Sequence, residues 1–288
     1  MARRTPAGFS VLHVLTGTVT LLRSKWRTVS VALLSFSLLA AVTGVIIDRE
    51  VGRIEDRIAS FSSSSWEEVR ISVDERFQKL DQADAMLMLT QMKAWRALSE
   101  GQKSHMTREV AVIAFMVSVW PWLLLSVLSN SVVAFLASVF FLLLAISGSE
   151  SAYDTARRVP LMALKMAGLC IWMLVRSFLW VPFIGPLLFI ILLPRLALSP
   201  VILAASGGGI FASIRLSMKQ TRGRWFSVFS ALFVAGFACL ALLWVGIVLA
   251  AIIALFSAKL SFFFFLVLLL LLNAFQMFFL AMLSTEVE

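Results

Sequence analysis

Apolar residues run along this chain in blocks of about twenty, each long enough to cross a hydrocarbon core roughly 30 Å thick as a helix. The first block covers residues 29–47 and stops at Asp48-Arg49-Glu50, and later blocks cover 161–180, 187–203, 225–250 and 262–283. Residues 110–146 form a longer, almost wholly apolar block, about twice what one crossing needs. Two crossings joined at Ser129-Asn130-Ser131 fit it by length. A single crossing within about 123–146 is preferred on parity, because a second would carry Arg157, Arg158 and the basic residues after Gly209 to the outer face. Trp120-Pro121-Trp122 then marks the outer interface, where indole rings favour the headgroup zone, and residues 110–119 become an apolar lead-in helix on the outer surface.

Between the blocks the pattern stays helical. Residues 1–28 place Arg3, Arg4, Arg23, Lys25 and Arg27 among apolar positions, as in an amphipathic helix on the cytoplasmic surface. In residues 48–108, Val51, Ile54, Ile58 and Phe61 recur at spacings of three and four, as do Trp66, Val69, Val73, Phe77 and Leu80. Ser62 to Ser65 breaks the two helices, and Ser65 with Glu68 makes a capping box. This hairpin is either a solvated helical pair that caps the bundle or a docking module for a partner helix. Glu150, Asp154 and Arg158 are spaced for helix ion pairs, and Val181-Pro182-Phe183-Ile184-Gly185-Pro186 reads as a turn.

The expected fold is therefore all-α: a polytopic transmembrane helical bundle of about six spans, with amphipathic in-plane helices and an extracytoplasmic helical hairpin. Residues 1–28 form the cytoplasmic basic helix, 29–47 the first span, and 48–119 the hairpin with its lead-in helix. Residues 120–283 are the membrane bundle of the second to sixth spans, including a cytoplasmic amphipathic helix at 210–222, and 284–288 are a cytoplasmic tail. The first block is read as a retained signal anchor, since it begins only near Val29 and is long enough to span.

Composition agrees with this layout. Apolar residues make up 60% of the chain, charged residues 14%, and mean hydropathy is +0.95, outside the range of soluble domains. The net charge of +9 is unevenly spread. Residues 48–109 hold twelve acids and ten bases, while the remaining fifteen Lys and Arg face only Glu150, Asp154, Glu286 and Glu288 and mostly flank apolar blocks. Such flanking bases follow the positive-inside rule and suit anionic headgroups, which argues against a nucleic-acid partner. Cys170 and Cys239 lie inside apolar blocks and read as small core hydrophobes.

Candidate chemistry is sparse. His13 and His105 are far apart and lack ligand partners at helical spacing, so no metal site, catalytic group or cofactor is expected. No P-loop, dinucleotide fingerprint or nucleophile elbow occurs. Gly207-Gly208-Gly209 before a helix suits a flexible turn better than a phosphate cradle. No span carries Asp or Glu, which argues against ion-coupled transport. Lys165 and Arg176 sit near the ends of the third span, where long side chains snorkel to water. Arg195, after Pro194, lies deeper and reads equally as a ligand group or as a snorkelling side chain. Asn273 and Gln276 suit interhelical hydrogen bonds.

The clearest amphipathic element is 210–222, with Ile210, Ile214 and Met218 on one side and Arg215, Lys219 and Arg222 as a basic stripe, followed by Arg224 and the interface residue Trp225. Apolar burial plus about 1 kcal/mol per base near an anionic surface holds such a helix in the membrane plane. Arg215, Lys219, Arg222, Arg224, Trp225 and Arg195 are accordingly the candidate contacts to lipid or a partner.

Leu196-Ala197-Leu198-Ser199-Pro200-Val201-Ile202-Leu203, Gly209-Ile210-Phe211-Ala212-Ser213-Ile214-Arg215, Ser217-Met218-Lys219 and Thr221 resemble the YciC-type family of uncharacterised bacterial inner-membrane proteins. The plan is also similar to the membrane domain of some glycerophosphodiester phosphodiesterases. The resemblance implies six spans in a bacterial cytoplasmic membrane, with both termini inside, and supplies no activity. Two departures stand out: the linker reads Ala-Ser-Gly-Gly-Gly where polar residues are usual, and the 48–119 region is longer than the usual outer loop. The expected function is a non-enzymatic structural or lipid- and partner-binding component of a membrane complex, with anionic headgroups on the cytoplasmic face and a protein partner at 48–119. The competing readings are a transporter or channel lined by Arg195 and the amides of the sixth span, and the membrane half of a hydrolase whose catalytic domain is on another chain.

Overall fold

The computed structural model describes residues 10–63, 100–147, 152–178 and 192–287, which are helical with short turns and contain no strand. Among the described residues the helices are labelled in order α1 (Val11–Ser24), α2 (Trp26–Ser63), α3 (Glu100–Ile146), α4 (Ala152–Phe178), α5 (Ser199–Ser206), α6 (Ile210–Gln220), α7 (Trp225–Ala254) and α8 (Ala258–Val287). Five segments among the described residues are long and apolar enough to cross a membrane: Trp26–Ile54, Val119–Ile146, Ala152–Arg176, Trp225–Ala254 and Ala258–Val287. The apolar stretch Leu192–Ser206 is shorter, roughly 22 Å at 1.5 Å per residue, and it is broken by a turn at Ala197 and Leu198. The expected fourth span, 187–203, lies partly outside the described residues, and the turn at 181–186 and the capping box at Ser65 and Glu68 lie wholly outside them.

The chain divides into two compact units, Val42–Ser129 and the remainder. The smaller unit contains the distal part of α2 and the proximal part of α3. Here the helices differ from the expected ends of the apolar blocks. α2 does not stop at Asp48-Arg49-Glu50 but continues to Ser63, because the polar residues that leave the apolar zone are compatible with helix and Glu50 pairs with Arg53 one turn on. α3 is unbroken from Glu100 through Pro121 and through Ser129-Asn130-Ser131 to Ile146, so a two-crossing hairpin has no turn at that point. α4 likewise runs through Pro160, joining the expected amphipathic stretch to the third span.

The larger unit is built around two apolar clusters. One joins α2 (Val29, Leu33), α3 (Phe140, Phe141, Leu144), α4 (Met162, Met166, Leu169), Leu203, Ile214 and α8 (Ala274, Phe278). Phe36 meets Phe140 and Phe141 edge-on at 6.1 and 6.4 Å, an arrangement that ring quadrupoles favour. The other joins Val14 of α1, Leu198 and Ile202, Val228, Ala231 and Ala235 of α7, and Phe279 and Leu283 of α8. Because α7 beyond Val228 turns only small residues (Ala231, Ala235, Cys239, Gly246, Ala250) inward, it approaches α8 closely, as helices in lipid must when packing rather than hydrophobicity holds them. Asn273 ties α8 to α3 in the apolar zone: Nδ2 donates to the Ala134 carbonyl at 3.0 Å, and Ser138 Oγ donates to Oδ1 at 3.0 Å. Bonds of this kind between membrane helices are worth about 0.6 kcal/mol on average.

One end of this unit gathers several helix termini. α1 packs on α8 with Gly17 against Met282, and one turn earlier His13 Nδ1 lies 2.6 Å from Glu286 Oε1. At its other end the Lys25 ammonium bonds the Leu144 and Ser147 carbonyls, which close α3. Arg224, at the start of α7, donates to the carbonyls of Glu286 and Val287 at 3.2 and 2.9 Å, which close α8. A helix C-terminus carries unpaired carbonyls and the negative end of the helix dipole, and a cation answers both needs.

Candidate functional site

The segment from residue 192 to Trp225 folds as a hairpin. Residues 192–196 are helical, Ala197 and Leu198 turn, and α5 begins at Ser199 with Pro200, whose missing donor costs nothing in a first turn. α5 ends at Gly207, whose φ of 61° is left-handed, the conformation a glycine C-cap takes without a Cβ penalty. Gly207 N–H returns to the Leu203 carbonyl at 3.1 Å, and Gly208 N–H donates to Ser206 Oγ at 3.2 Å. The glycine run is therefore a turn, with the Gly207 and Gly208 amides occupied. Gly209 then caps α6, which folds back along α5.

Four contacts hold the hairpin in place. Ser217 Oγ donates to the Arg195 carbonyl at 2.6 Å, tying the middle of α6 to the turn that precedes α5. Lys165 of α4 donates to the Gly207 carbonyl at 2.7 Å. Gly168 lets Ile210 seat on α4, since a Cβ there would lie 2.9 Å from Ile210 Cδ1. Phe211 meets Trp172 edge-on at 5.9 Å, and the Arg176 guanidinium lies over the same indole at 5.1 Å.

α6 is thus amphipathic with respect to the protein. Ser213, Ile214, Ser217 and Thr221 are buried, and Ile210 and Met218 pack against the core, so the expected apolar side is taken up by the bundle rather than by lipid. At about 100° per residue Arg215 and Lys219 fall within about 40° of one another on the opposite side, Arg222 follows in the turn after α6, and all three are exposed. Phe211 (65% exposed) and Leu216 (42%) flank that stripe.

The six candidate contact residues divide into two groups. Arg195, Arg215, Lys219 and Arg222 are exposed, and among the described residues no carboxylate pairs with their side chains. Arg195 does not lie in an enclosed path: its carbonyl is held by Ser217 while its side chain is exposed. Arg224 and Trp225 are half-buried and serve the fold, Arg224 by closing α8 and Trp225 by stacking on Phe229 at 5.2 Å and 5°. Lys25 and Lys165 take the same capping role as Arg224, which local pattern does not reveal because the carbonyls they meet are 42 to 122 residues away. Of the amides of the sixth span, Asn273 is occupied between α8 and α3. No group of three or more His, Cys, Asp or Glu that could hold a metal occurs among the described residues. No protein-family model, curated protein or solved structure matches this chain.

Proposed function

We propose that this chain is a non-catalytic integral membrane protein of a bacterial cytoplasmic membrane. It crosses six times with both termini inside, and serves as a structural, lipid- or partner-contacting component of a membrane complex. The observation that carries the reading is the division of cations within the larger unit: Lys25, Lys165 and Arg224 close backbone ends within the protein, while Arg195, Arg215, Lys219 and Arg222 are left facing outward. Uncompensated bases of this kind belong on the cytoplasmic side of a membrane.

Parity supports the sixth crossing. α1 links Lys25, at the close of α3, to Glu286, at the close of α8, yet its fourteen residues reach only about 21 Å, too short to cross. The ends of α3 and α8 and the starts of α2, α4 and α7 therefore belong to one side. α4 and α7 both depart from it, and a further crossing between them, as the 187–203 block would supply, keeps the reading consistent. The YciC-type resemblance belongs to the same reading. The transporter alternative loses its support from Asn273, whose amide bonds helix to helix instead of lining a path.

Cysteine accessibility tests the layout. In a chain cleared of Cys170 and Cys239, a membrane-impermeant maleimide added to intact cells is expected to label Lys259→Cys at the start of α8, and to spare Thr285→Cys and Arg215→Cys until the membrane is opened. Labelling of all three from outside overturns the reading. Purification in gentle detergent then identifies the proteins and lipids that accompany the chain.

A further inference from the structure

We infer that α5 and α6 form a re-entrant hairpin. They enter the membrane from the side on which α7 begins, turn at Gly207-Gly208-Gly209 within the hydrocarbon zone, and keep that turn in a water-filled recess beside Lys165. This rests on the layout above, in which α4 and α7 leave the same side, and it replaces the in-plane placement that the pattern of 210–222 suggests.

The depth of the turn follows from α4. Leu161 and Leu164 are 66% and 73% exposed, so they belong among acyl chains, and the interface lies before them, next to the exposed Arg157 and Arg158. About twenty residues counted from Leu161 reach position 180, just ahead of Val181-Pro182, whereas a span begun at Gly168 would have to run through Pro182 and Pro186. At 1.5 Å per residue Gly168 then stands roughly 10 Å inside the interface. It is the residue against which Ile210, next after the turn, is seated. Trp172, one turn deeper, meets Phe211, and Lys165, almost one turn shallower, bonds the Gly207 carbonyl, so three contacts agree on the level. Both outer ends of the hairpin are shallow. Leu198, before α5, shares a cluster with Val228 near the start of α7 and with Leu283 and Val287 at the close of α8. Arg224, after α6, bonds the last carbonyls of α8. α6 is roughly 16 Å long, enough to climb from one level to the other.

Irregular backbone at such a depth survives only where protein covers it or water reaches it. The turn is open, since Ser206, Gly207 and Gly209 are exposed. α6 starts without a side-chain cap, so its first amides lack partners and are costly to leave dry. Lys165 Nζ meets the Gly207 carbonyl at 2.7 Å, and an ammonium has two further donors to satisfy. Arg215 and Lys219 continue along the exposed face of α6 from the turn toward Arg224, which gives water a polar way in. With a cation at its inner end, the recess favours small anions over small cations.

The test places single cysteines in the full-length chain, cleared of Cys170 and Cys239, in sealed membrane vesicles of either orientation, and measures reaction rates with membrane-impermeant thiosulfonates. Gly209→Cys reports the turn, where a Cβ meets nothing within 4 Å. Leu164→Cys and Ile171→Cys bracket Gly168 at exposed positions of α4, and Thr285→Cys is the surface reference. Gly209→Cys is expected to react within about tenfold of Thr285→Cys. The two α4 positions are expected to be at least about a hundredfold slower, because a thiol among acyl chains does not ionise. Normalised to a free thiol in solution, an anionic reagent is expected to reach Gly209→Cys several-fold faster than a cationic one, and Lys165→Gln to remove most of that preference. Gly209→Cys as slow as Ile171→Cys means that protein covers the turn, and Leu164→Cys or Ile171→Cys as fast as the turn puts the interface deeper on α4. Either result overturns the re-entrant hairpin. A preference that is absent, or indifferent to Lys165→Gln, overturns the cationic recess. Should Gly209→Cys fail to fold, Ala205→Cys, exposed in the last turn of α5, carries the same decision. Sidedness is read separately: reaction of Thr285→Cys and of the turn from the outer face alone reverses the layout and leaves the depth of the hairpin standing.

Discussion

At the scale of single residues, the fold depends on positions where a missing side chain sets a helix separation. A Cβ on Gly246 would run into the Leu268 side chain, whereas a Cβ on Gly236 meets nothing within 4 Å. The two glycines share one helix and differ only in the face they occupy. Gly246→Val is therefore expected to force α7 from α8 and to destabilise the protein by about 1–3 kcal/mol, the usual cost of overfilling a packed contact. Gly236→Ala is expected to be neutral or to stabilise by up to about 1 kcal/mol, through helix propensity. Thermal unfolding of each variant in one detergent, followed by circular dichroism, compares them. A smaller loss at Gly246 than at Gly236 would mean that α7 and α8 do not meet on this face.

At the scale of elements, the α5–α6 hairpin is the piece whose placement depends on the fewest contacts. Ser217→Ala removes the hydroxyl that holds the Arg195 carbonyl and is expected to cost about 1 kcal/mol. Gly207→Ala places a Cβ at a φ of 61° and is expected to cost a further 1–2 kcal/mol. Limited proteolysis next to Arg222 and Arg224 reads the loosening directly: cleavage by trypsin is expected to quicken in both variants relative to the native chain, and unchanged rates would remove Ser217 from this role. The extent of α7 and α8 was legible in the sequence, because the apolar blocks at 225–250 and 262–283 admit little else. The basic face of α6 was legible for the same reason, since periodicity reports which residues share a side. The partner of its apolar face was not: Ile210, Ile214 and Met218 would suit lipid or protein equally, and only the fold brings them onto the core. The continuation of α2 past Asp48 was missed because an apolar block ends where solvent begins, and a helix need not end there. The pairing of Lys25 with the close of α3 and of Arg224 with the close of α8 joins distant segments, and no local pattern carries that information.

At the scale of the whole molecule, the ordering of charge along α1 is what brings the two ends of the described chain together. His13 against Glu286 at one end and Lys25 against the Leu144 and Ser147 carbonyls at the other make α1 a brace across the closes of α8 and α3. Fluorophores at Ser10→Cys and Thr285→Cys, both exposed positions, are expected to transfer energy strongly, and the pair at Ser10→Cys and Lys259→Cys weakly, because α8 separates the latter by about 45 Å. Equal transfer in the two pairs would mean that α1 does not lie at the close of α8. The His13–Glu286 contact has a consequence for the order of the chain itself. Since neighbouring ends can be joined by a short linker, the two could be fused and new ends opened at the Leu255–Ser257 turn, beyond which α7 and α8 share only their packed face. The circularly permuted chain would start with α8, pass through the brace and finish with α7. Its helices would still pack as they do now, which makes connectivity between α7 and α8 dispensable and their contact sufficient.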